Sequence, residues 1–191
     1  GDQVSRVHDH SLQILAAVGL RVDSEDARRA FRNAGAQVED DRVRVPADLV
    51  QWALDAAPSR IDVYDRCERP AFQLGENAET RFGIGVTALN YQDPMTDEVV
   101  EFQRRHMETL VRLGEALPSF DVISTVGIIH DIGPDLADLY ATLEMVANST
   151  KPLVLLVSKE ESYPAVLDLL ELLHPDLASK PFVIPYFNPV T

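Results

Sequence analysis

The chain has 191 residues, 46% of them hydrophobic and 25% charged, the balance of a soluble globular protein with room for one sizeable core. Its 17 basic and 31 acidic residues leave a net charge of −14, a surface that repels phosphate backbones and excludes nucleic acid as a partner while suiting a cationic ligand. The longest wholly apolar run, Leu153 to Val157, is far short of the roughly 20 residues a membrane span needs, and no charged-then-apolar leader opens the sequence.

Residues 4–18 place Val7, Ile14, Leu15 and Val18 on one face at helical spacing, and Gly19 ends that helix. Ser24 is an N-cap for a second helix, with Ala27, Ala30, Phe31 and Ala34 on its apolar face and Gly35 at its end. Two extended runs, AQVE and DRVRV, meet at Asp40-Asp41 as a hairpin. Pro46 opens a third helix, lined by Leu49, Val50, Ala53, Leu54 and Ala57 and stopped by Pro58. Residues 1–60 therefore read as a helical N-terminal cap.

Residues 61–104 change character. IDVYD, AFQLG, TRFGIGV, ALNYQD and EVVEFQ are short β-type runs broken at turn signals such as Gly75 and Asp93-Pro94, which predicts a small antiparallel meander. Met107, Leu110, Val111, Gly114 and Leu117 then recur at helical spacing up to Pro118. The remainder alternates strand and helix: FDVISTVGI, PDLADLYATLEMVANST, PLVLLV, SYPAVLDLLELL and PFVIPYF. Successive strands begin roughly 30 residues apart, the length of one βα unit. Each is apolar throughout, as in a parallel sheet covered on both faces. The fold class is α/β, with three βα units in residues 105–191; periodicity alone leaves a doubly wound sheet and a barrel both open.

Few side chains stand out chemically. His8 and His10 flank Asp9, but residues two apart on a helix point about 200° from each other and cannot grip one ion. His106 and His174 stand alone at helix ends, meeting the dipole or solvent. The lone Cys67 has no disulfide partner, which points to the reducing cytoplasm. Gly83-Ile84-Gly85 lacks the following helix of a phosphate loop and marks a turn or a close backbone approach to a ligand. Ligands of parallel α/β folds bind at the carboxyl ends of strands. There the first strand presents His130 and Asp131, and the third presents Tyr186, Phe187 and Asn188. The alternative for Asp131 is capping of its own turn before Pro134, and for Asn188 the closing of a turn. Lys151 lies at the wrong end of the second strand for a Schiff base, and Lys159 just past its carboxyl end.

The stretch VHDHSLQILAAVGLRVDSEDARRAFRNAGAQVEDDRVRVPADLVQWALDAAPSRIDVYDR resembles the N-terminus of the trimethylamine methyltransferase family. RFGIGVTALNYQDPMTDEVVEF and HDIGPDLADLYATLEMVANSTKPLV resemble its later segments, although a Gly-rich stretch of many relatives is reduced here to Gly83-Ile84-Gly85. The resemblance covers essentially the whole chain. It implies a (β/α)8 TIM-type barrel with an N-terminal cap, in a protein more than twice this length. It also implies transfer of a methyl group from a tertiary or quaternary methylamine, trimethylamine or a betaine, to the cobalt of a corrinoid carried by a separate protein. A homo-oligomer is expected. On this reading His130, Asp131, Tyr186, Phe187, Asn188, Gly83 and Gly85 bind substrate, with no metal on the chain and its catalytic residues unassigned. Any pyrrolysine position lies beyond Thr191. Three parallel strands leave two open edges, so the residues are expected to be the first part of a longer polypeptide, inert alone. A non-catalytic betaine- or methylamine-binding protein on the same scaffold is the alternative.

Overall fold

A computed structural model describes residues 2–186. The chain forms two compact units that divide between Ser59 and Arg60.

The first unit carries α1 (Asp2–Ala17), β1 (Leu20–Arg21), α2 (Glu25–Asn33), β2 (Gln37–Glu39), β3 (Arg42–Arg44) and α3 (Ala47–Ala56). Ser24 caps α2 through its hydroxyl, which accepts the Ala27 N–H, and Pro46 sits at the N-cap of α3. The β2–β3 hairpin turns at Asp40, whose φ of 52° lies in the left-handed region that aspartate tolerates. The structure adds β1, which pairs antiparallel with β3 to make a three-stranded sheet. Ala36, Val43 and Val45 form its small core with Leu15, Phe31 and Leu49 packed around them. His8 and His10 are exposed on α1.

The second unit opens with β4 (Arg60–Tyr64) and β5 (Pro70–Gly75), an antiparallel hairpin, followed by β6 (Gly83–Ile84), β7 (Asn90–Gln92) and β8 (Val99–Glu101). It continues with α4 (Arg104–Ala116), β9 (Val122–Ser124), α5 (Ala137–Asn148), β10 (Leu153–Leu156), α6 (Tyr163–Leu173) and β11 (Val183–Tyr186). The single meander expected for 61–104 is instead two separate hairpins, β4–β5 and β7–β8. Between them β6 leaves to pair in parallel with β9. Its glycine permits this: a Cβ at Gly83 would lie 2.7 Å from Val122 Cγ2, while the neighbouring Ile84 is buried in the main core. The parallel sheet therefore has four strands, in the order β11-β10-β9-β6, where three were expected.

Alternate strand residues Ile84, Ile123, Leu153, Leu155 and Val183 join Met107 and Val111 of α4, Met145 of α5, and Val166 and Leu170 of α6 in one core. All three helices thus cover the same face. On the other face Val122, Val154 and Ile184 pack beneath Val63 and Phe72 of the β4–β5 hairpin. Two histidines at helix ends, expected to meet the dipole or solvent, are buried. His106 is the third residue of α4, buried, with Nδ1 accepting the Gln103 N–H at 3.0 Å. His174 is 1% exposed, tilted against Phe182, and both its ring nitrogens lack a partner among the described residues.

Candidate functional site

The carboxyl ends of β6, β9, β10 and β11 form the edge where a ligand of a parallel α/β sheet is held. Successive strand residues point to opposite faces. One step beyond Val122, Val154 and Ile184, on the face away from the helices, come Ser124, Leu156 and Tyr186. Leu156 and Tyr186 are opposite each other in register. Gly83 belongs to this face, since its missing Cβ would also lie 2.9 Å from Ser124 Oγ, and Gly85 would direct one towards Val126. The hairpin covers the amino-end part of the face, and Gly83, Gly85 and Tyr186 are exposed. Three of the expected site residues, Gly83, Gly85 and Tyr186, therefore share one face. They stand at its two edges, three strands apart, and Tyr186 lies further along the sheet, since Gly83 is opposite Val122 whereas Tyr186 is opposite Leu156.

The backbone at this edge is strained. Thr87, a β-branched residue, has φ 52°, and its N–H donates to Thr125 O at 2.8 Å, so the ladder with the β9 strand continues past β6 to the Ala88–Gly127 bridge. Such a conformation persists only where surrounding contacts over-determine it.

His130 and Asp131 lie in the exposed loop after β9, yet they are engaged with α4. Asp131 Oδ1 accepts the N–H of Arg104, the first residue of α4, at 2.8 Å. A carboxylate there satisfies an orphan helix donor and meets the positive end of the dipole. The carboxylate thus caps a neighbouring helix, which separates it from the capping of its own turn considered from the sequence. The His130 N–H donates to Phe102 O at 2.9 Å. Phe102 is fully buried, and its ring lies flat against Gly127, leaving no space for a Cβ. Phe187 and Asn188 lie outside the described residues.

Other groups hold the loops in place. Asp138, buried at the start of α5, accepts the N–H groups of Ser158 and Lys159 and so fixes the turn after β10. Lys159 Nζ pairs with Asp135 at 2.6 Å; this hydrogen bond holds the aspartate below its usual range and raises the lysine. A lysine raised in this way stays protonated, the wrong direction for an amine nucleophile. Lys151 donates to the Gly114 and Leu117 carbonyls, a C-terminal cap for α4. His106 stacks on Tyr91 with centroids 4.1 Å apart. Burial, with the Arg105 charge beside it, lowers its pKa despite Asp131 and Asp93, so the imidazole is a neutral cap acceptor. Buried Glu144 pairs with Arg104 at 2.5 Å, and the guanidinium lies over the Tyr140 ring. Among the described residues no three His, Cys, Asp or Glu side chains are placed to hold a metal ion.

Sequence reasoning missed Ser124, Asp138, Glu144 and the Phe102–Gly127 contact. For Ser124 a signal existed, a hydroxyl within an otherwise apolar strand; the other three depend on partners 20 to 40 residues away.

The trimethylamine methyltransferase (MTTB) family model matches residues 1–188. The chain is 26% identical over 172 residues to trimethylamine methyltransferase MttB of Desulfitobacterium hafniense (strain DSM 10664 / DCB-2), which covers 88% of this chain and 34% of that protein. It is 28% identical over 158 residues to trimethylamine methyltransferase MttB of Methanosarcina barkeri (strain Fusaro / DSM 804), covering 78% and 31%. A shorter match, 32% over 65 residues, is to glycine betaine methyltransferase of Desulfitobacterium hafniense (strain Y51), covering 34% and 14%. The chain spans about a third of the length of the first two relatives. With its residues matched nearly from end to end, the chain belongs to the trimethylamine methyltransferase family.

Proposed function

We propose that this chain is the N-terminal part of an enzyme that moves a methyl group from a tertiary or quaternary methylamine, trimethylamine or a betaine, to a corrinoid protein. The observation that carries the reading is the family match over residues 1–188. The fold supports it: strands β6, β9, β10 and β11 are added in chain order, and all three helices cover one face. That is singly wound topology, the arrangement of a (β/α)8 barrel, whereas a doubly wound sheet reverses direction and places helices on both faces. The face opposite the helices would then line the barrel, with the β4–β5 hairpin covering its amino end.

The corrinoid would supply the methyl-accepting cobalt. Among the described residues the open half of the inner face carries Ser124, Leu156, Tyr186 and two glycines. This donor set contains no imidazole or thiolate, so it does not fit a resident corrinoid, and the cofactor is assigned to the partner protein. The chain's own contribution is to orient the amine and exclude water. Tyr186 offers an aromatic face of the kind that attracts methylammonium groups. We place the enzyme in the cytoplasm as a homo-oligomer; among the described residues no helix is long and apolar enough to cross a membrane.

The test is incubation of the complete polypeptide with a reduced corrinoid protein and, separately, trimethylamine and glycine betaine, following the cobalt absorption spectrum. Methylation of the corrinoid with at least one amine is expected. Calorimetric binding of an amine without methyl transfer would replace the enzyme with the non-catalytic binder, and neither binding nor transfer would overturn both.

A further inference from the structure

Of the described non-glycine residues with positive φ, Asp40, Glu68, Asn77 and Asp97 sit in turns, three of them in antiparallel hairpins. Thr87, at φ 52°, is the β-branched exception, and its segment runs on alongside β9 instead of reversing. A β-branched side chain is the least suited to that conformation. Backbone bonds impose it: the Thr87 N–H donates to Thr125 O at 2.8 Å, the Ala88 N–H to Val126 O at 2.9 Å, and the Ile128 N–H to Ala88 O at 2.9 Å. Thr125 is itself fixed to β10, its N–H donating to Val154 O and its Oγ1 accepting the Leu156 N–H, each at 3.0 Å. Glycine would adopt the same backbone without strain, and the segment already uses glycine at Gly83 and Gly85. A threonine there lowers stability, so its side chain has to supply something that glycine cannot. Thr87 is half-buried beside exposed Val86, just past the carboxyl end of β6, on the edge where a parallel sheet holds its ligand. Strained residues of this kind cluster at ligand sites.

We propose that Thr87 is a substrate-binding residue, its hydroxyl oxygen turned to the positive charge of the methylated nitrogen. A hydroxyl carries acceptor lone pairs and no charge of its own, so it faces a cation without holding it as an ion pair would. This rests on the amine methyltransferase reading above and adds to it a residue that touches the substrate.

The experiment is calorimetry and thermal unfolding of the complete polypeptide and three variants, with trimethylamine and glycine betaine as ligands. Thr87→Gly removes both the strain and the hydroxyl. Its unliganded Tm should equal or exceed that of the wild type, while affinity for whichever amine the wild type binds falls at least about tenfold. Thr87→Val keeps the β-branched shape and the strain but deletes the hydroxyl, and should lose affinity to the same extent with a Tm close to that of the wild type. Thr87→Ser keeps the hydroxyl and should bind within about threefold of the wild type. A Thr87→Gly variant with a lower Tm would show that the conformation is not strained and would overturn the assignment. So would Thr87→Val or Thr87→Gly binding within about twofold of the wild type, or Thr87→Ser losing as much as Thr87→Val. In these cases the wild type still binds and methylates, and the assignment alone fails. If the wild type binds neither amine, the underlying methyltransferase reading fails with it.

Discussion

Replacing Gly127 with alanine tests whether the loop after β9 is held by the close approach of Phe102. A Cβ at Gly127 would lie 2.6 Å from three carbons of the Phe102 ring, where ordinary carbon contacts are about 3.5–4.0 Å. The ring or the loop must therefore move by roughly 1 Å. Phe102 is fully buried, and its backbone is bonded on both sides, its N–H to Leu89 O and its carbonyl to the His130 N–H. Neither group yields freely, so the cost should be that of overpacking, about 1–3 kcal/mol. In a protein of this size or larger that corresponds to a fall in Tm of a few degrees for each kcal/mol. Phe102→Ala alone should cost about 3–5 kcal/mol by cavity formation. In the double variant the clash disappears, so denaturant unfolding of the complete polypeptide should show it less destabilised than the sum of the singles by about 1–3 kcal/mol. Additive costs within about 0.5 kcal/mol would refute the argument that this contact positions the loop.

Two further outcomes follow from polar groups elsewhere in the same unit. Because neither ring nitrogen of His174 has a partner among the described residues, His174→Leu should raise stability by about 1–3 kcal/mol in thermal unfolding; a loss of more than about 1 kcal/mol would mean that the imidazole is satisfied after all. Burial by itself would raise the Glu115 carboxyl, but hydrogen bonds from Ser149 and Thr150 and the Lys151 charge outweigh it, and its pKa is lowered. A carboxyl depressed in the folded state stabilises above its unfolded pKa, and that stability is lost as pH falls through the folded value. Glu115→Gln should therefore lower stability at neutral pH and flatten its decline below the ordinary glutamate range; an unaltered acid limb would dismiss Glu115 as a contributor.

Much of the architecture was legible in local patterns. Ser24 before an apolar-periodic run, Pro46 at a helix start and Asp40-Asp41 between two extended runs each signal an element through bonds made within a few residues. The apolar runs of β9, β10 and β11 announce parallel strands, whose two faces are ordinarily both covered; β9 is buried throughout, whereas β10 is half-buried at alternate residues and β11 ends in exposed Pro185 and Tyr186. The error at β6 has the opposite cause. A two-residue strand has no period to read, and its partner Val122 is nearly 40 residues away. The site shows the same division. Gly83 and Gly85 were identified as a glycine pair suited to close backbone approach and Tyr186 from its place at a strand end, and the structure sets them on one face. His130 and Asp131 were also identified from a strand end, but their bonds to Phe102 and Arg104 depend on where α4 starts relative to the loop after β9.

By itself the sequence determined the element types, the α/β class, the absence of an apolar span among its runs and the family resemblance, all of which depend on local order along the chain. Only the tertiary structure decided that four strands run parallel with helices on a single face, that His106 and His174 are buried, and that both ring nitrogens of His174 lack a partner among the described residues. Those properties belong to pairs of residues brought together by strand pairing, and a side chain's burial and unmet hydrogen bonds exist only once its distant neighbours are in place.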